Sequence, residues 1–378
     1  MKIVGKLVML KLLTIMAVYL ILPKWLVLAN GEYQENEYRQ KNYINRTDTF
    51  INGANDNVQR PEEQGQSYRN DKMRVGGYAF LKNKWRFTFQ YGLLQSRMNE
   101  YVYNVESGEL LSKLIWRNTA VSMLTGGVAY RPVDLFEIEL KGSITPTKGS
   151  GRWRMDDYDW VDGYDKPFTD HSFHTEGEFT YINLDLTTKL RLFELGKIDD
   201  NGIFSLWTLF GISYTELSSL QDGMSYVWYN RGAYVRAEND ENGLLYRQRL
   251  VTPYLGLSAI YQYKRFSILM EFKYSFLNVA KTLDIHYNRD YYTYDNYHNI
   301  PVYALRINTG YWITNHIRAF FEASFAETKT KSVYSIMVTI PDEEHTYYQD
   351  GYIVYHGRSG EGMNNWRYIF SLGINVGF

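Results

Sequence analysis

The chain has 378 residues and a formal net charge of -1, so no bulk basicity points to nucleic acid and no nucleic-acid partner is expected. It contains no cysteine, which excludes a disulfide framework, a thiolate zinc site and a cysteine nucleophile. Aromatic residues make up 17% of the chain, with 35 Tyr, yet the mean hydropathy is only -0.40. Many amphipathic rings in a polar chain are typical of a membrane protein in which lipid-facing and water-facing residues alternate along strands.

The first 29 residues have the pattern of a secretory signal peptide. Basic residues precede an apolar run over residues 12–22, and the small residue Ala29 stands at the expected cleavage point. The alternative is a retained N-terminal anchor, because the apolar run is long. After Ala29 no run of about 18 apolar residues occurs, so no membrane-spanning helix is expected.

Residues 30–79 form a polar segment rich in Asn, Gln, Glu and Arg, with little periodicity. This composition predicts a flexible extension. We therefore divide the chain into a signal peptide over residues 1–29, an extension over residues 30–79 and a strand-rich domain over residues 80–378.

In this last part, apolar residues recur at every second position, which is the pattern of β-strands. The runs lie near residues 85–91, 136–140, 182–192, 204–214, 255–263, 266–276, 303–313 and 317–325. The opposite faces carry charged residues: Glu137, Glu139, Asp185, Lys189, Glu271, Lys273, Arg306 and Glu322. In a soluble sandwich the apolar face would be the core, whereas in a membrane barrel it would meet lipid and the charges would pair inside. Periodicity alone does not separate these two folds.

Two further features favour the membrane barrel. Tight turns at residues 131–133, 263–265 and 314–316 alternate with long polar loops near residues 145–173, 222–246, 287–300 and 336–360. The chain also ends in a strictly alternating strand from Tyr368 to Phe378, which is similar to the C-terminal signal of outer-membrane barrels. We predict an all-β fold: a ten-stranded antiparallel transmembrane β-barrel with long extracellular loops and short periplasmic turns.

Two short segments of this domain resemble the omptin family of outer-membrane aspartyl endopeptidases. The first is Met-Asp-Asp-Tyr-Asp-Trp-Val-Asp at residues 155–162, followed by Phe-Thr-Asp-His-Ser at 168–172. The second is Asp-Ile-His-Tyr at 284–287, and a weaker match is Asn-Glu-Tyr-Val-Tyr at 99–103. Strand order, loop positions and spacing from about residue 83 onward are also similar to the family. Either short motif alone would carry little weight, but both together at strand tops are specific.

The resemblance implies that Asp157, Asp159, Asp284 and His286 are catalytic. Residues two apart on a strand share a face, so each doublet would point into the barrel. In the implied mechanism Asp284 orients His286, which takes a proton from a water shared with Asp157. That water attacks the scissile carbonyl directly, and Asp159 accepts or relays a proton. Repulsion between neighbouring negative charges opposes the ionisation of all these carboxylates at once, so the pKa of one of them is expected to rise.

The resemblance also implies peptide or protein substrates with basic residues on both sides of the cleaved bond. Glu100 matches an acid of the pocket before the bond, and Asp170 matches the acid after it. Thr282 stands where the family has a second acid for the first pocket. We therefore expect cleavage near Arg or Lys, with a relaxed preference before the bond.

Lipopolysaccharide is the one activating cofactor that the resemblance implies, as a lipid bound to the outer wall of the barrel. Tyr214 and Glu216 match the family at this wall. Ser218 and Gln262 stand where the family has Arg. Activation by lipopolysaccharide is therefore expected to be lost or to use other groups. The implied location is the bacterial outer membrane, with the site facing outside the cell.

Other interpretations stay open at this point. The Asp-rich segment over residues 156–170 could bind calcium, although Val161 breaks the EF-hand register, and His171 with His174 could suggest zinc. Asp284 and His286 could form an ordinary ion pair of the lumen. The barrel could be a non-catalytic adhesin or host-protein-binding protein, since long loops carry such binding. A porin is the third function, disfavoured because ten strands leave a narrow, charge-filled lumen.

Overall fold

The computed structural model describes residues 83–104, 107–148, 151–160, 170–195, 202–221, 226–230, 233–237, 243–287, 291–328, 332–334, 336–339, 354–355 and 359–378. The predicted signal peptide at residues 1–29 and the predicted extension at residues 30–79 lie outside the described residues. In the described ranges, no helix is both long and apolar enough to cross a membrane.

Strand segments joined into one antiparallel sheet make up the described chain. In chain order they are β1 (Trp85–Asn104), β2 (Leu110–Val133), β3 (Phe136–Ile144), β4 (Arg152–Asp159), β5 (Asp170–His174), β6 (Gly177–Leu195), β7 (Ile203–Gln221), β8 (Tyr226–Asn230), β9 (Ala233–Ala237), β10 (Leu244–Tyr263), β11 (Phe266–Ser275), β12 (Val279–His286), β13 (Tyr291–His298), β14 (Val302–Trp312), β15 (Ile317–Thr328), β16 (Ser332–Tyr334), β17 (Ile336–Thr339), β18 (Val354–Tyr355) and β19 (Ser359–Gly377).

The sheet closes on itself because β1 pairs with β2 on one side and with the C-terminal β19 on the other. Several strands of the barrel are divided into two segments. β12 and β11 pair with successive parts of β10 and form one barrel strand, and β4 and β3 do the same along β2. Counted this way, the fold is a closed ten-stranded antiparallel barrel. The predicted fold is confirmed.

The outer surface of the barrel carries a continuous apolar band. Phe89 and Leu372, for example, are 58% and 69% exposed, although both are large apolar side chains. They belong to the alternating positions that the sequence assigned to lipid. A lipid phase is the solvent in which such a surface is stable, since water penalises exposed apolar area. The band extends from the tight-turn end up to about Leu93 on β1 and Tyr368 on β19.

The turns and loops differ from the sequence prediction in detail. β2 continues to Val133, so the first tight turn is at residues 134–135 rather than 131–133. Much of the predicted loop at 145–173 is strand, because β4 and β5 lie within it, and β13 occupies most of the predicted loop at 287–300. The strands therefore extend well above the apolar band. We call the end opposite the tight turns the upper mouth.

Inside the band, the lumen is filled by paired charges. We call this set the lumen ion network: Arg86, Arg131, Glu137, Glu139, Lys141, Asp185, Lys189, Glu271, Lys273, Arg306 and Glu322. Lys189 lies 2.7 Å from Glu139 and 3.2 Å from Glu271, and Lys141 joins β3 to Glu322 on β15 at 2.8 Å. These bridges cross the barrel from wall to wall. They therefore occupy the path that a porin would keep open.

Above the network, the lumen changes from charged to apolar, which the sequence analysis missed. We call this layer the inner apolar cluster: Leu94, Met98, Leu114, Trp116, Val121, Met123, Trp153, Met155, Phe179, Tyr181, Leu217, Leu244, Tyr246, Leu250, Ala280, Tyr297, Ile300 and Met363. Trp116 is central, stacked on Tyr246 at 5.9 Å and edge-on to Trp153 at 5.8 Å. The cluster gives the upper mouth a floor from which water is excluded.

Breaks in strand alternation turn the upper strands relative to the lower ones. On β11, odd-numbered residues such as Glu271 face the lumen, whereas on β12 even-numbered residues such as Asp284 do so. The switch occurs at residues 276–278, where Asn278 accepts a hydrogen bond from the backbone of Ile300 at 2.7 Å. A strand that continued without this break would place its inward face outward, because side chains alternate strictly along β-structure.

A similar switch occurs on β2, between Leu94 and Ser96 of the paired strand β1. There two residues of β2 oppose one of β1, and Ala120 has a φ of 57°. Such a bulge shifts the alternation by one position. As a result Trp116 faces the lumen although it has the same parity as the exposed Leu124.

Candidate active site

The C-terminal end of strand β12 carries a short hydrogen bond between two of the predicted site residues. Nε2–H of His286 donates to Oδ2 of Asp284 at 2.6 Å. Asp284 is only 4% exposed, while His286 is half-buried and faces the upper mouth. A buried carboxylate that accepts a hydrogen bond from an imidazole fixes the orientation and the tautomer of the ring.

The second doublet lies on β4. Asp157 and Asp159 have the same parity as the buried Trp153 and Met155, so both face the lumen. Asp157 accepts a hydrogen bond from Ser112 Oγ of β2 at 3.2 Å. The sequence analysis did not identify Ser112, whose hydroxyl fixes one oxygen of Asp157.

Asp156, between them in sequence, faces the other side of the strand and has a structural role. Arg154 donates to its carboxylate at 2.6 Å, Arg117 forms a further ion pair, and His171 Nε2 lies at 3.1 Å. Although burial raises the pKa of Asp156, these cationic partners hold it below its usual range. The Asp-rich segment is therefore divided between two faces, which removes the basis for one calcium loop within the described residues.

The two histidines considered for zinc are also separated. His171 contacts Asp156 on the outer side, whereas His174 is buried and its Nδ1 lies 2.9 Å from Gln221 Nε2. Residues three apart on a strand face opposite sides, so the pair does not form a metal site.

Glu100 lies between the two doublets and connects them. It pairs in register with Leu114 of β2, which in turn pairs with Asp157 of β4. Burial raises the pKa of the Glu100 carboxyl well above its usual range, and the nearby charges of Asp284, Glu361, Asp295 and Asp157 raise it further. Since Asp284 and Asp157 both act on this buried group, the two doublets lie at the same mouth. The structure thus brings Glu100, Asp157, Asp284 and His286 together.

The two other predicted substrate contacts have different surroundings. Asp170 pairs through its backbone with Asp159 and Asn230, and its side chain is outside what the structure describes. Thr282 is buried and donates from Oγ1 to Asp295 Oδ2 at 2.8 Å. Asp295 was missed, although counting back along β12 from His286 and forward along β13 from its partner Tyr291 places it directly opposite Thr282.

Glu361 is the second acid that sequence reasoning missed. It is 3% exposed, and burial raises the pKa of its carboxyl well above the usual range, with Asp295 and Asp284 adding to the effect. The alternation counted back from Phe378 gives the signal that could have found it, because the odd positions from Glu361 to Gly377 face inward.

Tyr214, Glu216 and Ser218, the wall positions considered for a lipid contact, lie on the outer face of β7. Tyr214 donates to Glu216 at 2.5 Å, and Ser218 follows on the same face of β7. Gln262 is remote from this group, since it is buried near the turn at residues 264–265 and pairs with Ile203. Arg249 pairs in register with Glu216 and donates to it at 3.0 Å. Arg249 therefore places an arginine next to Glu216 on the outer wall.

A closed barrel with an apolar outer band, a charge-filled lumen and a cluster of acids with one histidine at its upper mouth defines an integral outer-membrane β-barrel protein. The family model described as the omptin family matches residues 82–378. The chain belongs to the omptin family.

Individual relatives agree with this assignment. The plasminogen activator of Yersinia pestis is 31% identical over 240 residues, which cover 62% of this chain and 73% of the relative. The outer membrane protease OmpP of Escherichia coli is 26% identical over 298 residues, covering 76% of this chain and 88% of the relative. The crystal structure of the outer membrane protease OmpT from Escherichia coli has a similar fold, with a TM-score of 0.66, 22% identity and coverage of 82% of this chain and 99% of that one.

Proposed function

We propose that this protein is an outer-membrane endopeptidase that cleaves peptides or proteins near basic residues, with its site facing outside the cell. Membership of the omptin family and relatives named as proteases support proteolysis in general. The observation that carries the finer proposal is the 2.6 Å bond between His286 and Asp284, beside a mouth that also holds Asp157.

In the proposed mechanism a water molecule is the nucleophile. Nε2 of His286 keeps its proton and donates a hydrogen bond to Asp284, so Nδ1 carries the lone pair that takes a proton from this water. Asp157, fixed by Ser112, holds the water from the opposite wall, and the resulting hydroxide attacks the scissile carbonyl. The C–N bond of the substrate then breaks, and the proton on Nδ1 of His286 passes to the leaving amine with Asp159 as the relay. General base assistance of this kind increases rates by about 100- to 10,000-fold.

The first test is an assay of the refolded, full-length protein with an internally quenched peptide that contains an Arg-Arg pair. We expect cleavage at this pair, identified by mass spectrometry. Added hydroxylamine should give no hydroxamate product, because water attacks directly and no acyl-enzyme forms. Hydroxamate formation would overturn the mechanism. Absence of cleavage, with peptide bound to the folded barrel, would favour the non-catalytic host-protein-binding alternative.

We also propose that lipopolysaccharide activates the enzyme through Arg249. This side chain is 48% exposed on the outer wall, just above the apolar band and next to Glu216. A guanidinium at this height can donate to a lipid phosphate. Arg249→Ala should raise the lipopolysaccharide concentration for half-maximal activity about tenfold, the effect of losing one charge-assisted hydrogen bond.

Arg265→Ala is the matched control, since Arg265 lies at the turn that begins β11, at the other end of the barrel. It should leave the lipopolysaccharide titration unchanged. Identical titrations of the wild type and Arg249→Ala would contradict the proposed lipid contact.

A further inference from the structure

Three acids beneath the upper mouth differ from the acids of the lumen ion network. Glu100, Asp295 and Glu361 are 4%, 3% and 3% exposed and come from β1, β13 and β19. In the part of the chain that the structure describes, Oε2 of Glu100 and Oε2 of Glu361 have no hydrogen-bond partner. Buried carboxylate oxygens normally accept hydrogen bonds, because an unsatisfied one carries a large desolvation cost. Two such oxygens in one place indicate that a donor is supplied from outside.

The three acids interact with one another. The charges of Asp295 and Glu361 both raise the pKa of Glu100, and the charge of Asp295 raises the pKa of Glu361. Asp284 acts on both glutamates as well, which places the group directly beside the Asp284–His286 pair. A ligand group bound among the three acids would therefore lie next to the proposed water.

Thr282 holds one member of the group in place. Its hydroxyl donates to Asp295 Oδ2 at 2.8 Å across the β12–β13 pair, where the two residues are in register. The side chain at position 282 is neutral, and the carboxylate that it contacts lies on the neighbouring strand. Thr282 serves to orient this carboxylate.

The floor of the group is apolar. Met363 pairs in register with Glu100, and Met363 and Met98 are fully buried in the inner apolar cluster. Tyr246 and Tyr297 of the same cluster also lie close enough for Glu100 to affect their ionisation. An apolar floor below a ring of carboxylates suits a side chain with an aliphatic stem and a cationic end.

We propose that Asp295 and Glu361, together with Glu100, form the pocket that binds an arginine side chain of the substrate next to the scissile bond. This inference rests on the proposed function and deepens it. It replaces the relaxed preference expected from Thr282 with a strict one. Arginine is favoured over lysine because its planar guanidinium presents five donors in a fixed fork, which can bond several carboxylates at once.

The test uses three peptides that differ at the Arg-Arg pair. One keeps both arginines, and the other two replace the first or the second with citrulline, which has the shape of arginine but no charge. With the wild type, one of the two replacements should lower kcat/KM about tenfold or more, because the uncharged side chain loses a charge-assisted hydrogen bond to the acids of this pocket. The variants are Asp295→Asn, Glu361→Gln and the double variant. Glu327→Gln, on the outer face of β15, is the matched control.

In each single variant, KM for the double-arginine peptide should rise about tenfold, and the penalty for citrulline should shrink at one position only. The double variant should cleave the double-arginine peptide and the peptide with citrulline at this one position at similar rates. Circular dichroism and SDS resistance of the barrel establish that each variant is folded. Unchanged citrulline penalties in folded variants would overturn the pocket. If the wild type cleaves none of the peptides, the proposed function fails instead.

A pH series gives an independent readout. The groups that face Glu100 and Glu361 are Asp157 on β4, Tyr246 on β10, Asp284 and His286 on β12, and Asp295 and Tyr297 on β13. The raised pKa of both glutamates means that a bound cation expels protons from them. The ratio of KM for the citrulline peptide to KM for the arginine peptide should therefore increase from pH 5 to pH 8. Effects of pH on the shared catalytic step apply to both substrates and cancel in this ratio. A flat ratio would contradict the pocket.

Discussion

Substitution of His286 by alanine is expected to lower kcat by about 100- to 10,000-fold, because it removes the general base. KM should change little, since the proposed arginine pocket does not include the imidazole. His286→Ala also leaves Asp284, which is 4% exposed, without its 2.6 Å donor. Initial rates over a range of peptide concentrations, measured on refolded protein, separate the two parameters.

The same experiment should show that Asp157 on β4 and His286 on β12 serve the same catalytic step. Asp157→Asn is expected to reduce kcat by a similar factor, because the water loses its second contact. The double variant should be scarcely worse than either single one, as groups that serve a single step are strongly non-additive. Asp156→Asn is a useful comparison, since Asp156 faces outward. Additive losses in the double variant, or full activity in His286→Ala, would exclude the proposed mechanism.

The largest expected effect on stability is at Lys189, in the lumen ion network. Its ammonium lies 2.7 Å from Glu139, 3.2 Å from Glu271 and 3.5 Å from Glu137. Lys189→Met keeps the aliphatic stem but leaves three buried carboxylates short of one cation. Loss of one member of a buried ion pair lowers the free energy of unfolding by about 3–5 kcal/mol. Urea unfolding of the barrel in detergent, followed by tryptophan fluorescence, measures this loss.

Two comparisons separate charge from packing at this position. Lys84→Met, at an exposed lysine, should change the free energy of unfolding by less than about 0.5 kcal/mol. Combining Lys189→Met with Glu139→Leu should recover part of the loss, because removing both partners is often neutral. If Lys189→Met proves as stable as the wild type, the network does not hold the walls together.

The lower barrel was predictable from the sequence because one rule governs it. Between the tight turns and about Leu93, lipid selects apolar side chains at every second position, so residues such as Phe89 and Leu372 identify their own orientation. The charged residues between them, including Glu137 and Lys189, then face inward. This part of the fold needed no knowledge of tertiary contacts.

The upper barrel was less predictable because water and protein replace lipid there. The bulge beside Ala120 and the break at residues 276–278 shift the alternation, and neither has a strong local signal. The doublet at 284 and 286 was placed inward through the family resemblance, against the parity of β11. The acids Asp295 and Glu361 were missed because each depends on contacts between strands that are distant in sequence.

The break at residues 276–278 also separates two demands on one polypeptide. Below it, β11 must present apolar side chains to the bilayer, and above it, β12 must present Asp284 and His286 to the interior. Because the parity is reset between them, each half turns its own side chains to the surroundings that they require. Loss of the break at constant length, with residues 276–278 drawn into a regular strand, would have a different consequence. It would rotate the reactive pair to the exterior of a barrel that could still insert, and so disconnect catalysis from assembly.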